Sequence, residues 1–453
     1  MTDQINLKLK MFHEAKAPVA NGLKRDDLLV LKDDAFESNH GFIQWAFPTN
    51  EKSYHNFSAP VLDLKTATWL VNNDSFCEFL EEMTARFLQF LADNSHWRRR
   101  HDHNHLRISR AIKSIRLLHS WELANWFYEK VKDLAGPELE LMEKPMSYWD
   151  EYASPIHDRI AGGFVGLAIG DALGAPVEFC RRNTFETVTG YREGGKFNLP
   201  AGAWTDDTAM AICLAKSLIE QNALDQTDLL NRFCCWAEHG ENTSTGVCVG
   251  IGQNTLRVLG DYRRTGSLEA KPFGAKNDGN GSLMRLFPAI AAAYPNKDLA
   301  LSISKQQSKV THASTIAEDS CAYAADLIFE LLSGAKLSDA VGQINSADWC
   351  DPISSALEME LTGFSDVGIR TTGYVVDTLQ ASIWAALNSN SFEEAVLKAI
   401  NLGDDADTVG AVTGQIAGSI YGYSKIPSHL KSGLVNERDL YVLSQFIGGA
   451  VNG

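Results

Sequence analysis

Glycine falls at every fourth position from residue 162 to residue 174, in the run Gly162-Gly163-Phe164-Val165-Gly166-Leu167-Ala168-Ile169-Gly170-Asp171-Ala172-Leu173-Gly174. Residues four apart share one face of an α-helix, so a helix here carries a stripe without side chains, against which a second helix can lie at very short range. The chain is therefore expected to contain a crowded core of closely packed helices. Asp171 interrupts the apolar stretch from Phe164 to Val177, and the remaining pieces are too short to span a bilayer. No membrane is expected as a partner. Glu178, two residues after Pro176 at the end of this run, is an acid that could face a pocket.

Two acidic clusters lie about 200 residues apart, Thr205-Asp206-Asp207 and Asp404-Asp405-Ala406-Asp407-Thr408, each before a small-residue apolar run that reads as a buried helix, 208–218 and 409–420. For either cluster alone, an N-cap at Thr205 or Asp404 with an acidic first turn explains the residues. As a pair they suggest one oxygen-only cation site, because like charges brought together repel unless a cation holds them. Carboxylate, hydroxyl and carbonyl oxygens are hard donors, which favours Mg²⁺ or Mn²⁺, with Ca²⁺ an alternative, over zinc.

A chain of 453 residues exceeds one ordinary core, so two domains are expected. Residues 1–152 hold 8 of the 12 histidines and many aromatics, whereas glycine and alanine dominate from about residue 160 onward. The boundary is placed between 152 and 153, in the stretch from Lys144 to His157 that Pro145 and Pro155 punctuate. Apolar spacing of three and four predicts helices over 76–93, 106–119 and 121–134 in the first part. In the second part it predicts them over 209–221, 229–238, 282–293, 316–333, 375–387 and 392–401, with no run of alternating strands. An all-α fold follows, a helical bundle with a smaller, mainly helical N-terminal module. The formal charge of −16 is shared unequally: Lys and Arg number 19 against 23 acids in residues 1–152, and 22 against 34 in the rest. Nucleic acid is not expected as a partner of so acidic a surface. Eight scattered cysteines without CxxC spacing, and no apolar segment after the charges of residues 1–10, point to a reduced, cytoplasmic protein.

Gly279-Asn280-Gly281-Ser282 precedes the helix expected from residue 282, and a helix N-terminus with free amides suits an anion such as phosphate, although Asn and Ser also cap helices without a ligand. His312, in Thr311-His312-Ala313-Ser314, is structural or ligand-facing on this ground alone.

Taken together, GGFVGLAIGDALGAPVEF (162–179), WTDDTAMA (204–211), GNGSLMRLFPAI (279–290), THAS (311–314), TGYVVDTLQASIWA (372–385) and NLGDDADTVGAVTGQIAG (401–418) resemble the ADP-ribosylglycohydrolase family, of the dinitrogenase-reductase-activating glycohydrolase type. The resemblance covers residues 153–453. It implies an all-α fold with two Mg²⁺ ions, Mn²⁺ being an alternative, ligated by Thr205, Asp206, Asp207, Asp405, Asp407 and Thr408, with Asp404 outside that set. It implies catalytic roles for Glu178, Asp206 and Asp405, and substrate contacts for Asn280, Gly281, Ser282, His312 and Tyr374. The implied reaction is hydrolysis of the N-glycosidic bond between ADP-ribose and a protein side chain, arginine above all, with an ADP-ribosylated protein as substrate. One departure is Gly250-Ile251-Gly252-Gln253-Asn254-Thr255, where arginine-specific relatives often carry Asp ahead of Ile-Gly.

The first part resembles the conserved domain of opioid growth factor receptors through HGFIQWAFP (40–48), Ala59-Pro60, Trp97, NHLRISRAIKS (104–114) and Ser147-Tyr148-Trp149. Read from its residues, it is a small non-catalytic helical module with an aromatic core, in which segment 40–48 buries Trp45 and Phe47 and Arg98 to Arg100 form a solvated basic run. Extended glycohydrolases of this kind resemble immunity proteins that act against ADP-ribosyltransferase toxins. The chain is therefore expected either to reverse the toxin's modification or to bind such a toxin stoichiometrically through its N-terminal part.

Overall fold

A computed structural model describes residues 2–18, 22–53, 56, 59–271, 274, 278–344, 349–357, 361–363 and 365–451. The chain divides between His157 and Asp158 into two compact units. Both are helical, and among the described residues no β-strand occurs, only isolated bridges such as Gly279–Tyr374.

The first unit is built on α1 (Thr2–His13), α2 (Leu64–Val71), α3 (Asp74–Asp93), α4 (Asn104–Leu118) and α5 (Trp121–Ala135). Asp63 and Ser120 start α2 and α5 by accepting from the amides of Thr66 and Leu123, which satisfies helix donors that would otherwise lack partners. The core is aromatic: Phe36 stacks on Phe90 with ring centroids 4.7 Å apart and meets Phe42 edge-on. A single helical turn, Ile43–Ala46, buries Trp45 and Phe47. Trp97 and Trp149 are fully buried. Arg107 of α4, also buried, donates to the carbonyls of Phe36, Glu37 and Asn39. Of the basic run, Arg99 is exposed and pairs with Asp102.

The second unit holds α6 (Pro155–Gly174), α7 (Asp206–Gln221), α8 (Gln226–His239), α9 (Gln253–Thr265), α10 (Phe287–Ala293), α11 (Lys297–Lys309), α12 (Thr315–Leu332), α13 (Val375–Leu387), α14 (Phe392–Ile400) and α15 (Ala406–Tyr421). The helix expected over 282–293 is interrupted. A 3₁₀ turn at Asn280–Ser282 is followed by turn residues 283–285, and α10 begins after Leu286 with Pro288 in its first turn, where a missing N–H costs least.

The glycine stripe of α6 meets α15 backbone to backbone. A Cβ built on Gly162, Gly166, Gly170 or Gly174 would lie 2.4, 2.4, 2.0 and 2.5 Å from the carbonyl oxygens of Gly418, Gly414, Gly410 and Ala406 in turn. The pairing runs in opposite directions along the two chains, so the helices are antiparallel and in fixed register. By length and composition the run Glu143–Val177 is apolar enough to cross a membrane, so the reading that Asp171 leaves it too short is corrected. Its apolar window is 94% buried inside the protein, and core packing accounts for its composition.

Candidate active site

The register of α6 on α15 brings Asp171 to the first turn of α15. Asp171 is fully buried, and each of its carboxylate oxygens accepts from a threonine of the first acidic cluster. Oδ1 takes Thr205 N at 2.9 Å and Thr205 Oγ1 at 2.8 Å, while Oδ2 takes Thr208 N at 3.0 Å and Thr208 Oγ1 at 2.7 Å. Asp171 thus caps α7 from a neighbouring helix. Thr205, at the N-cap position, makes no capping bond with its own side chain, and neither does Asp405 at the N-cap of α15. The simple N-cap explanation of the two clusters is therefore corrected on two counts: the caps do not use those side chains, and the second cap is Asp405 rather than Asp404. Asp404 is exposed with φ at +56°, and its backbone pairs with Phe179 N and Cys180 O, each at 2.7 Å. That pairing ties Glu178 to the second cluster. Phe179, also left-handed at +64°, lies under Lys196, whose Nζ is 3.9 Å from the ring centre.

The two clusters converge. Carboxylate oxygens of Asp171, Asp207 and Asp407 all lie within 4.8 Å of one another, as do those of Glu178, Asp405 and Asp407. Asp207 Oδ1 and Glu178 Oε2 are buried with no hydrogen-bond partner among the described residues. Burial first, then mutual repulsion, raises the whole group. Asp206 goes up to about 7 with Asp171 beside it, and Glu178 to about 8 under Asp206, Asp405 and Asp171 with Lys196 opposing. Asp171 is pushed to about 6 by burial against the pull of its four donors, and Asp207 and Asp407 lie well above the usual carboxylate range. Buried carboxylates are stable together only when paired or bound to cations. With one unpartnered oxygen in each of two close carboxylate groups that share Asp407, and oxygen donors throughout, the arrangement suits divalent metal ions.

The remaining candidates gather on the same side through backbone pairing. Asn280 N donates to Gly373 O, Val375 N to Asp278 O and Asp405 N to Thr371 O, which joins the 278–282 loop, the N-terminus of α13 and the second cluster. Asn280 Nδ2 donates to Asp405 Oδ2 at 2.6 Å and to Thr378 Oγ1 at 2.8 Å, so Asn280 orients a member of the acidic cluster. Gly281 lies against His312, where a Cβ would come 2.7 Å from Cε1. Ser282 is fully buried, with Oγ turned into the core 2.8 Å from Ser308 Oγ and its carbonyl accepting from Gln307 Nε2, so its side chain is not presented to a ligand. Tyr374, half-buried, is the N-cap residue of α13. At the departure noted in the sequence, Gly250 adopts φ of +83° and a Cβ there would lie 2.1 Å from Asp206 Oδ1. A side chain there would be strained by the left-handed backbone and would require the Asp206 carboxylate to shift.

Sequence reasoning did not single out Asp171, Thr208 or Arg285 as site residues. A lone carboxylate in a small-residue apolar helix was the available signal for Asp171. Arg285 offered a similar one, since it stands between Met284 and Leu286 in an apolar segment and is completely buried.

The fold and site together define an all-α unit with a buried, metal-suited group of acids at the N-termini of α7 and α15. Residues 153–451 match the family described as ADP-ribosylglycohydrolase, and the chain belongs to it. It is 35% identical over 299 residues to a Serratia proteamaculans protein named ADP-ribosylarginine hydrolase Tri1, covering 64% of this chain and 78% of that relative. A Pseudomonas putida protein of the same name is 40% identical over 273 residues, covering 60% of this chain and 72% of the relative. A Rhodospirillum rubrum ADP-ribosyl-[dinitrogen reductase] glycohydrolase is 28% identical over 277 residues, with 60% and 89% covered. A solved structure titled ADP-ribosylglycohydrolase-related protein complex superposes with a TM-score of 0.57 at 34% identity, over 66% of this chain and 99% of that one.

Proposed function

We propose that the second unit hydrolyses the N-glycosidic bond linking ADP-ribose to arginine side chains of proteins, with two Mg²⁺ ions, replaceable by Mn²⁺, held by Thr205, Asp206, Asp207, Asp405, Asp407 and Thr408. One observation carries the reading: acids from sequence positions about 200 residues apart meet within 4.8 Å in a buried, uncompensated group. The names of the Serratia and Pseudomonas relatives support arginine as the linkage. Six carboxylates, Asp171, Glu178, Asp206, Asp207, Asp405 and Asp407, are opposed by Lys196 near Glu178 and by the positive ends of α7 and α15, those two ends together worth roughly one charge. That balance favours two divalent cations over one.

Bound there, the cations would supply Lewis acidity that orients the ribose hydroxyls and a water. Glu178 Oε2, buried and unbonded, is the group available to take a proton from that water or to hold it in place. The acidic wall stabilises positive charge that develops at the anomeric carbon as the C–N bond breaks. Asn280 steadies Asp405, and the backbone of 279–282, with His312 and Tyr374, receives the rest of the ADP-ribose. Release of ADP-ribose from ADP-ribosyl-arginine and ADP-ribosyl-serine, with Mg²⁺ and with EDTA, is the test. Release from arginine that chelation abolishes is the expected result, and activity indifferent to EDTA would sink the metal assignment.

For the first unit the proposal is a toxin-docking module in a cytoplasmic immunity protein, with an ADP-ribosyltransferase as partner. Its separate core and its exposed Leu106, Trp126, Leu141 and Tyr148 support an interaction role, as the eight free cysteines support a reducing compartment. The second reading is stoichiometric inhibition with little need for turnover. The double variant Asp206→Ala with Asp207→Ala separates them: protection lost with hydrolysis means enzyme, and protection that survives means occlusion.

A further inference from the structure

The guanidinium of Arg285 is wholly buried and reaches both sides of the ligand loop. Nε donates to Gln307 Oε1 at 3.0 Å, Nη1 to Gly281 O at 2.9 Å, and Nη2 to Gln307 O at 3.0 Å and Thr311 Oγ1 at 2.8 Å. The Phe233 ring lies 4.8 Å away. An arginine only donates, so Thr311 Oγ1 is an acceptor in that contact and its single proton remains for another neighbour. That neighbour is His312 Nδ1, 2.9 Å away. A threonine oxygen has two lone pairs, but among the described residues Nδ1 is the one acceptor within reach of the Thr311 proton, so Nδ1 presents a lone pair, and a neutral imidazole that accepts at Nδ1 carries its proton on Nε2. The ring is neutral, since burial, with Arg285 and Arg257 nearby, lowers its pKa to about 3. Nε2 lies toward Gly279 and Gly281, where a Cβ would come within 3.4 and 3.1 Å of it. The two glycines leave that face clear.

We propose that Arg285, acting through the Thr311 hydroxyl, holds His312 as the Nε2–H tautomer and so makes it a fixed hydrogen-bond donor to oxygen acceptors of a ligand seated on the Gly279–Ser282 loop. Arg285 and Thr311 are positioning residues in this scheme, and His312 offers no basic nitrogen on the ligand side. The role rests on the proposed function, since ADP-ribose supplies those acceptors as phosphate and hydroxyl oxygens. Arg285 also holds the Gly281 carbonyl, so one buried cation sets both the loop and the histidine that faces it.

Long-range ¹H–¹⁵N spectra of the ligand-free full chain near neutral pH read the tautomer directly, with the His312 signals identified by their loss in His312→Gln. The wild type and Thr311→Ser should show one neutral ring protonated at Nε2. Thr311→Val keeps the shape but lacks the hydroxyl, and should show a mixed or Nδ1-protonated ring. Its affinity for ADP-ribose in the presence of Mg²⁺, measured by calorimetry, should fall about 5- to 10-fold, with Thr311→Ser within about twofold of wild type. A wild-type ring protonated at Nδ1 or at both nitrogens overturns the inference, as does a Thr311→Val protein with unchanged spectrum and affinity. If the wild type binds no ADP-ribose, the functional reading fails, while the ligand-free spectrum still decides the tautomer.

Discussion

Replacing Gly170 by alanine tests whether the contact between α6 and α15 sets the site. An alanine in a helix interior is normally better than glycine by about 1 kcal/mol. Here its Cβ would sit 2.0 Å from Gly410 O, 2.3 Å from Gly410 C and 2.8 Å from Ala411 N, against the 3.4 Å at which ordinary contact begins. All three atoms are backbone, so no side-chain rotation relieves the clash, and the helices must part locally by about 1.4 Å. Overpacking of a tight core typically costs about 1–3 kcal/mol, and a clash that moves two helices belongs at the upper end. After the propensity gain, a net loss of about 2 kcal/mol remains, a fall in Tm of roughly 4–8 °C. Gly260 of α9 provides the control: it is exposed and helical, and a Cβ there meets nothing within 4 Å, so Gly260→Ala should stabilise by about 0.5–1 kcal/mol. Differential scanning calorimetry on both variants, with and without Mg²⁺, reads the effect on the transition that responds to the metal. Parting the helices also moves Asp171 from Asp407, so Gly170→Ala should lose much of its Mg²⁺-induced rise. A Gly170→Ala protein within about 1 °C of wild type, or a Gly260→Ala protein equally impaired, would refute the packing argument.

Three further outcomes follow from the charges. Asp171, Asp206 and Glu178 have folded-state pKa values raised to about 6, 7 and 8, so the metal-free protein keeps their contribution below about pH 4 and loses it as pH rises through that range. Mg²⁺ stabilises the ionised forms, and the gap in Tm between Mg²⁺ and EDTA samples should widen from about pH 5 to about pH 8; a constant gap counts against a carboxylate metal site. Asp171→Asn should reduce metal affinity about 10- to 100-fold by disturbing Thr205 and Thr208, read by titrating the metal-induced Tm shift, and an unchanged affinity would show that Asp171 only packs. In the first unit, His13 is buried neutral with its pKa lowered to about 3 by burial, and its Nε2–H donates to Trp45 O at 3.0 Å. That depression means its contribution is intact above about pH 6.5 and is lost as pH falls, by about 2 kcal/mol between about pH 7 and about pH 5; His13→Phe should flatten this slope in urea denaturation, and an unaltered slope would remove His13 as its source.

The helices with the clearest periodicity were legible because burial alone decides them: Val375–Leu387 starts and ends where the apolar spacing places it. The site was legible where acids cluster, since Thr205-Asp206-Asp207 and Asp405 to Thr408 announce themselves by local density. Asp171 and Arg285 were not, because each is the sole charge within its apolar segment and its side-chain partners include residues 34 and 22 positions away respectively. The break in the expected helix at 282–293 has the same origin. Periodicity over those residues is helical, but Pro288 and the Arg285 bond to Gly281 O favour a turn that a spacing argument does not see.

The glycine ladder explains why a motif that reads as packing belongs to the chemistry. Pairs 162 with 418, 166 with 414, 170 with 410 and 174 with 406 set one antiparallel register. A slip by one step of four residues would keep glycine against glycine along most of the stripe, yet displace Asp171 about 6 Å along the axis from Asp407. Packing alone therefore does not choose between registers. The four hydrogen bonds from Thr205 and Thr208 to Asp171 supply the discrimination, because a slipped helix would leave a buried carboxylate and several buried donors unpaired, at about 1–3 kcal/mol each. Close approach thus comes from the glycines and register from the aspartate, and the same aspartate holds the first acidic cluster against the second.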